Sequence, residues 1–203
     1  LLKVGLTGGI ACGKSTVAKM LKDKGAFLID ADQVAREVVE PEQPAFQEIV
    51  QWLGEGVVAE DGSLDRQELA QIVFQDQKAL STLNSIVHSR VIQLFEERSN
   101  YILQKHPGAI QVWDVPLLIE AGMQDAVDIT VVVVSSEENQ LLRLSQRDGL
   151  KKNNAIDRVQ SQLPMDQKIA VADYVLYNNS TLDDLQAQVD LLWRQLLLLQ
   201  EQV

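Results

Sequence analysis

The sequence predicts an α/β fold: a five-stranded parallel sheet flanked by helices, with a long helical insertion and a mobile segment late in the chain. Three observations predict it. Gly8-Gly9-Ile10-Ala11-Cys12-Gly13-Lys14-Ser15-Thr16 fits the pattern of Gly, four residues, then Gly-Lys-Ser, and lies between an apolar run and a helical stripe. Short apolar runs alternate with stretches of helical periodicity, which is how βαβ units read in sequence. Residues 33–100 hold no convincing strand. At 203 residues the chain is long enough to bury a full hydrophobic core.

The first strand is Leu2 to Leu6, which runs into the glycine-rich loop, and Thr16 to Lys24 form the helix behind it, with Val17, Met20 and Leu21 on one stripe. Gly25 caps that helix, and Ala26 to Asp30 is too short for anything but a strand. That strand ends in Asp30-Ala31-Asp32, with a helix expected from about Gln33. Residues i and i+2 of an extended segment point the same way, so both carboxylates face the bound phosphates if the extended form persists through Asp32. The competing reading makes one of them the helix cap. Pro41 and Pro44 end one helix and start the next, which carries Phe46, Ile49, Val50 and Leu53. A loop over residues 54–63 follows, then helices over 64–74 and from Ala79 to about Lys105. The last of these presents Leu80, Leu83, Ile86, Val87, Val91, Leu94 and Phe95 as its apolar positions.

His106-Pro107-Gly108 stops the helices, and Ala109 to Asp114 is the third strand. Val127 to Val134 is the most β-branched run and should be a central strand buried on both faces. Ser135-Ser136 can cap the next helix, with Glu137 and Glu138 favourable in its first turn. Ala172 to Asn179 is a fifth strand with a polar turn. Thr181 caps a final helix striped with Leu182, Leu185, Val189, Leu192, Leu196 and Leu199, most of which should pack on the sheet.

Composition narrows the function. A net charge of −11 argues against a general nucleic-acid surface, so positive charge for an anionic ligand must be local. It is: Arg143, Arg147, Lys151, Lys152, Arg158 and Lys168 stand against Asp148, Asp157 and Asp166, six positive to three negative. Arg143 and Arg147 lie four apart, on one face of a helix. A single cysteine excludes an internal disulfide and a Cys-cluster metal site. No apolar run reaches membrane-spanning length, and the first strand follows no charged leader, so the expectation is a cytoplasmic protein with no membrane partner.

The loop pattern implies a bound nucleoside triphosphate, because its backbone N–H groups make a nest for phosphates. Lys14 should reach the β- and γ-phosphates. Ser15 should ligate Mg²⁺, with Asp114 assisting through water, since an apolar strand ending in Asp is where such enzymes place an acid near the metal. A basic segment after the fourth strand suits a lid that closes on the triphosphate and excludes water. Asp32 is the candidate base for an attacking hydroxyl. A phosphate acceptor, already anionic, would need no base, so the acidic pair favours a hydroxyl acceptor. Cys12, beside a helix N-terminus, is either a small residue that fits or a thiol of lowered pKa that bound ATP protects from oxidation.

Leu6-Thr7-Gly8-Gly9-Ile10 and the loop, Ile29-Asp30-Ala31-Asp32, Asp114-Val115-Pro116-Leu117-Leu118, Arg143-Leu144 with Gln146-Arg147-Asp148, and Ala172-Asp173-Tyr174-Val175 with Asn178 resemble, in order and spacing, the dephospho-CoA kinase family. The resemblance implies a P-loop kinase core with a five-stranded parallel sheet, a helical substrate-binding insertion and a mobile lid. It implies phosphorylation of the ribose 3′-hydroxyl of dephospho-CoA by ATP, the last step of coenzyme A synthesis. The core would comprise residues 1–32, 107–138 and 169–203, the CoA-binding insertion 33–106 and the lid 139–168. Asp32, Lys14 and Arg143 would be catalytic. Gly8, Gly9, Ala11, Cys12, Gly13, Lys14, Ser15, Thr16, Arg143, Arg147 and Asn178 would bind ATP. Asp32, His88 and Leu117 would contact the acceptor. The expected partners are ATP, Mg²⁺ and dephospho-CoA, with the chain a monomer or weak homo-oligomer. Three positions depart from the family pattern: Ala11-Cys12 where the loop often reads Gly-Ser, Ser89 where proline usually follows the histidine, and Ser180 where glycine often closes the last turn. A kinase of another nucleoside or nucleotide, and a nucleotide-dependent switch, are the alternative readings.

Overall fold

A computed structural model describes residues 1–149 and 152–202. In chain order, β1 (Leu2–Gly8) leads through the loop to α1 (Lys14–Asp23), then β2 (Phe27–Asp30), α2 (Ala31–Glu37) and α3 (Pro44–Leu53). Next come α4 (Arg66–Gln75), α5 (Gln77–Lys105), β3 (Ile110–Asp114) and β4 (Ile129–Val134). The chain closes with α6 (Glu137–Asp148), α7 (Lys152–Gln160), α8 (Met165–Ala170), β5 (Tyr174–Tyr177) and α9 (Leu182–Gln200). It divides into two compact units, residues 1–29 with 102–203, and residues 30–101.

The first unit is built on the parallel sheet β2-β3-β1-β4-β5. Leu6 of β1 pairs with Asp114 of β3 on one side, and Gly8 pairs with Val133 of β4 on the other. All five strands therefore deliver their carboxyl ends to one edge, where ligands of open α/β sheets sit. In β4, Val131 and Val133 join Leu6, Val17 and Leu21 in a core that α9 covers with Leu185, Val189, Leu192 and Leu196. Val132 and Val134 are buried too, so both faces of the strand are covered, as its unbroken β-branched run implies. Thr181 begins α9 with a reciprocal capping box to Asp184. Leu182, one position on, is 62% exposed and is not part of the packed stripe that the periodicity predicts. It lies in the first turn, outside the span of the sheet core.

The second unit has its own core of Ala45, Ile49, Val57, Leu64, Leu69 and Ile86, with Phe46, Leu83 and Val87 packed against it. Pro44 occupies the first turn of α3, where its missing N–H has no helical partner to lose. Asp65 caps α4 by accepting from the backbone of Gln67 and Glu68. Leu80, expected on the apolar stripe of α5, is 40% exposed. Among the described residues the unit's only extended pairing is the isolated bridge between Val58 and Leu64.

The C-terminal leucines separate packing from exposure. Leu196 is fully buried, whereas Leu198 is 55% exposed. Leu196→Ala should lower the unfolding free energy by about 2–5 kcal/mol. Leu198→Ala should change it by less than about 0.5 kcal/mol. Urea unfolding of both variants checks the contrast.

Candidate active site

The glycine-rich loop leaves β1 at Gly8, where a Cβ would run into the carbonyl of Val133, so only glycine lets the two strands lie this close. Within the loop the Cys12 amide donates to the carbonyl of Gly9, 3.1 Å, closing a tight turn. Ala11 holds φ at +58° in that turn. The left-handed region costs an L-residue about 1–2 kcal/mol, and a glycine would sit in it freely. The carbonyls of the strained stretch are tied down from outside. Arg143 Nη1 donates to Ala11 O at 3.1 Å, and Asn178 Nδ2 donates to Cys12 O at 2.8 Å. Arg143 Nη2 also donates to the main-chain oxygen of Asn178 at 2.9 Å, and Ser135 Oγ donates to the same oxygen at 3.0 Å. With its carbonyls held by the protein, this part of the loop keeps them from turning toward an anion.

Lys14 opens α1, and its ammonium forms an ion pair with Asp114 at the end of β3. Their side chains are 15% and 7% exposed. The register that pairs Leu6 with Asp114 is what brings this carboxylate beside the loop. Thr7 Oγ1 donates to the Pro116 carbonyl at 2.9 Å and fixes the chain just beyond Asp114. Ser15 and Thr16 follow Lys14 in the first turn of α1. A serine hydroxyl and a single carboxylate are hard oxygen donors of the kind that Mg²⁺ accepts together with phosphate oxygens and water.

Several expected residues stand differently. The extended form does not persist through Asp32: helix α2 begins at Ala31, and Asp30 is its cap, accepting from the amides of Asp32 and Gln33. The orphan amides of a helix start pull the Asp30 carboxylate into that role. Asp32 lies in the first helical turn, at the edge of two clefts of the second unit. Arg147, one turn beyond Arg143 on α6, does not join it at the loop. It is bidentate to Asp148, at 2.7 and 2.9 Å, and this holds the Asp148 carboxyl below its ordinary pKa. Arg158 pairs with the same carboxylate. Lys168 is fully buried against Glu120 at 2.6 Å and is not a lid-surface charge. Lys151 lies outside the described residues. The basic excess of the segment is thus largely matched within the protein. His88 is exposed on α5, which continues unbroken through Ser89, whose hydroxyl donates to the Ile86 carbonyl. Leu117 is 47% exposed in the β3–β4 connection.

Two features escaped the sequence. Ser135 and Asn179 form a buttress behind Arg143, Asn179 accepting from the Ser136 amide at 2.7 Å. Gln162 accepts from the Ile10 amide at 2.7 Å, 152 residues away. No local pattern marks a lone glutamine for such a contact.

The family model described as CoaE, dephospho-CoA kinase, matches residues 2–184. The chain belongs to the dephospho-CoA kinase family. A dephospho-CoA kinase of Syntrophus aciditrophicus is 44% identical over 197 residues, 97% of this chain and 84% of that one. A dephospho-CoA kinase of Corynebacterium glutamicum is 42% identical over 93% of this chain and 96% of its own. Among solved structures, TT1252 from Thermus thermophilus superposes with a TM-score of 0.79 at 30% identity, covering 96% of this chain and 97% of that one. A shikimate kinase from Acinetobacter baumannii shares the fold at a TM-score of 0.53 and 17% identity, over 97% of this chain and 93% of its own. No described helix is long and apolar enough to cross a membrane.

Cys12 decides between its two readings. It is fully buried, and burial pushes its thiol pKa up despite the opposing backbone hydrogen bonds and the Arg143 charge. Burial and the raised pKa favour the small core residue over the reactive, ATP-protected thiol. Iodoacetamide should label Cys12 only on unfolding, so Mg-ATP should slow labelling no more than it suppresses global unfolding. Because the folded pKa is raised, the thiol's contribution to stability is complete below the ordinary value of 9.0 and is lost as pH rises above it. Cys12→Ala should therefore show a shallower loss of stability above pH 9 than the parent.

Proposed function

We propose that this chain phosphorylates the ribose 3′-hydroxyl of dephospho-CoA with ATP, giving coenzyme A. The observation that carries the proposal is the Lys14–Asp114 pair at the strand ends, in a chain of this family. It supplies the cation for a triphosphate and the carboxylate for its metal in one place. Loop amides and Lys14 hold the phosphates, and Lys14 leaves Asp114 for the β- and γ-phosphates when nucleotide enters. Ser15 and Asp114 (through water) would hold Mg²⁺, which would supply positive charge to offset that on the transferring group. Gly8, Gly9, Ala11, Cys12, Gly13 and Thr16 shape the cradle, and the Asn178 turn lies on the adenine side. Arg143 braces the loop and adds positive charge beside it, while Arg147 must exchange Asp148 for phosphate to act on the donor.

Asp32 is the base that takes the proton of the acceptor hydroxyl. The cap geometry supports this division of labour, since the Asp30 carboxylate is engaged by backbone amides. Residues 33–106, with His88, hold the acceptor, together with Leu117, and residues 139–168 form the lid. A monomer or weak homo-oligomer in the cytosol completes the reading.

A coupled assay tests it: turnover should depend on dephospho-CoA, with little ATP hydrolysis in its absence. Equal activity on an unrelated nucleoside, or hydrolysis without acceptor, would refute the assignment. Asp32→Asn should lower kcat about 10²–10⁴-fold, the range of a general base, with ADP affinity changed less than about threefold. Near-full turnover would remove Asp32 from that role. Lys14→Ala should lower kcat about 10²–10³-fold by removing charge stabilisation of the transferring group.

A further inference from the structure

The loop is held by three side chains that come from three separate parts of the chain. Arg143 takes the Ala11 carbonyl, Asn178 takes the Cys12 carbonyl, and Gln162 takes the Ile10 amide. The first two fix acceptors. The third fixes a donor, which is the unusual case, because free amides are what a phosphate-binding loop offers its ligand.

Gln162 is itself anchored. It follows α7, where its own amide donates to the Val159 carbonyl at 3.3 Å. The next amide, of Leu163, donates to Glu120 Oε1 at 3.3 Å. The same carboxylate oxygen pairs with the fully buried Lys168 of α8 at 2.6 Å. Met165 of α8 packs against Gly9, so close that a Cβ on Gly9 would stand 2.7 Å from its Cε. A buried lysine is tolerated only with its counter-charge in place. Glu120 and Lys168 therefore latch residues 162–168, the fixed root of the proposed lid, to the β3–β4 connection, and that latch presents the Gln162 carboxamide to the loop.

We infer that Gln162 is a positioning residue for phosphate binding: by accepting from the Ile10 amide it sets the first turn of the loop, so that the following amides converge on the β-phosphate. Glu120 and Lys168 act through it by fixing where its backbone runs. The inference rests on the nucleotide site proposed above, but not on the identity of the acceptor. Gln162 oxygen does not compete with the ligand; it holds the one amide whose rotation would reopen the Gly9–Cys12 turn.

Binding of ADP and AMP to Gln162→Leu, measured by displacement of a fluorescent nucleotide, tests this without turnover. Loss of the acceptor should weaken ADP by about three- to tenfold, the worth of one hydrogen bond, and leave AMP, which lacks the β-phosphate, unchanged. Equal loss for both nucleotides would mean a merely structural role and would overturn the inference. Unchanged or tighter ADP binding would overturn it as well, the latter by showing that the oxygen competes with phosphate. Should the variant not fold, hydrogen exchange at the Ile10 amide of the unaltered protein decides. The amide should be protected without nucleotide; exchange at the rate of an open loop would contradict the contact. Failure to phosphorylate dephospho-CoA would refute the proposed acceptor and leave these binding results untouched.

Discussion

A lysine and a carboxylate, both largely withdrawn from water, face each other where β1 and β3 end, and the active-site edge of the sheet is arranged around them. Neither charge is readily tolerated there alone, since an unpaired ion so far withdrawn from water keeps most of its desolvation cost. The pair therefore demands the register that sets Leu6 against Asp114 and the loop length that returns Lys14 to the same edge. In the proposed reaction a triphosphate with its metal would supply an anion for Lys14 and a cation for Asp114, so that both partners would be compensated again when the pair opens.

The loop that carries Lys14 meets a second demand. Its amides can converge on phosphate only if its carbonyls are held elsewhere, and one of its residues, Ala11, stands in a backbone region that L-residues avoid. Such strain persists where the surroundings over-determine it. Here Arg143, Asn178 and Gln162 do so from α6, from the turn after β5, and from the segment between α7 and α8. The cation that the sequence offers as a phosphate contact is thus first a support for the loop. The same folding that fixes the Cys12 carbonyl also buries its side chain, in the core cluster that holds Val17, Leu21 and Leu176.

What the sequence reveals and what it hides follows from the range of each signal. The loop, the five strands and the Thr181 cap are local patterns, and all are present where the residues place them. The acidic pair was half legible. Period-two spacing treats Asp30 and Asp32 alike, and only the start of α2 at Ala31 tells which carboxylate the backbone claims. Counting charges between Arg143 and Lys168 overstated the available positive field, because Lys168 is neutralised by Glu120, 48 positions earlier in the chain, and Arg147 by its neighbour. Gln162 left no trace, since its contact spans 152 residues and its letter carries no chemistry of its own.

The proposed role of the pair requires that Lys14 and Asp114 stabilise each other until nucleotide separates them. A double-mutant cycle of Lys14→Met and Asp114→Asn, read as unfolding free energy with and without saturating Mg-ADP, measures that directly. The coupling should be about 1–3 kcal/mol without nucleotide and fall toward zero with it. No coupling in the nucleotide-free protein, or an equal coupling in both states, would contradict this role.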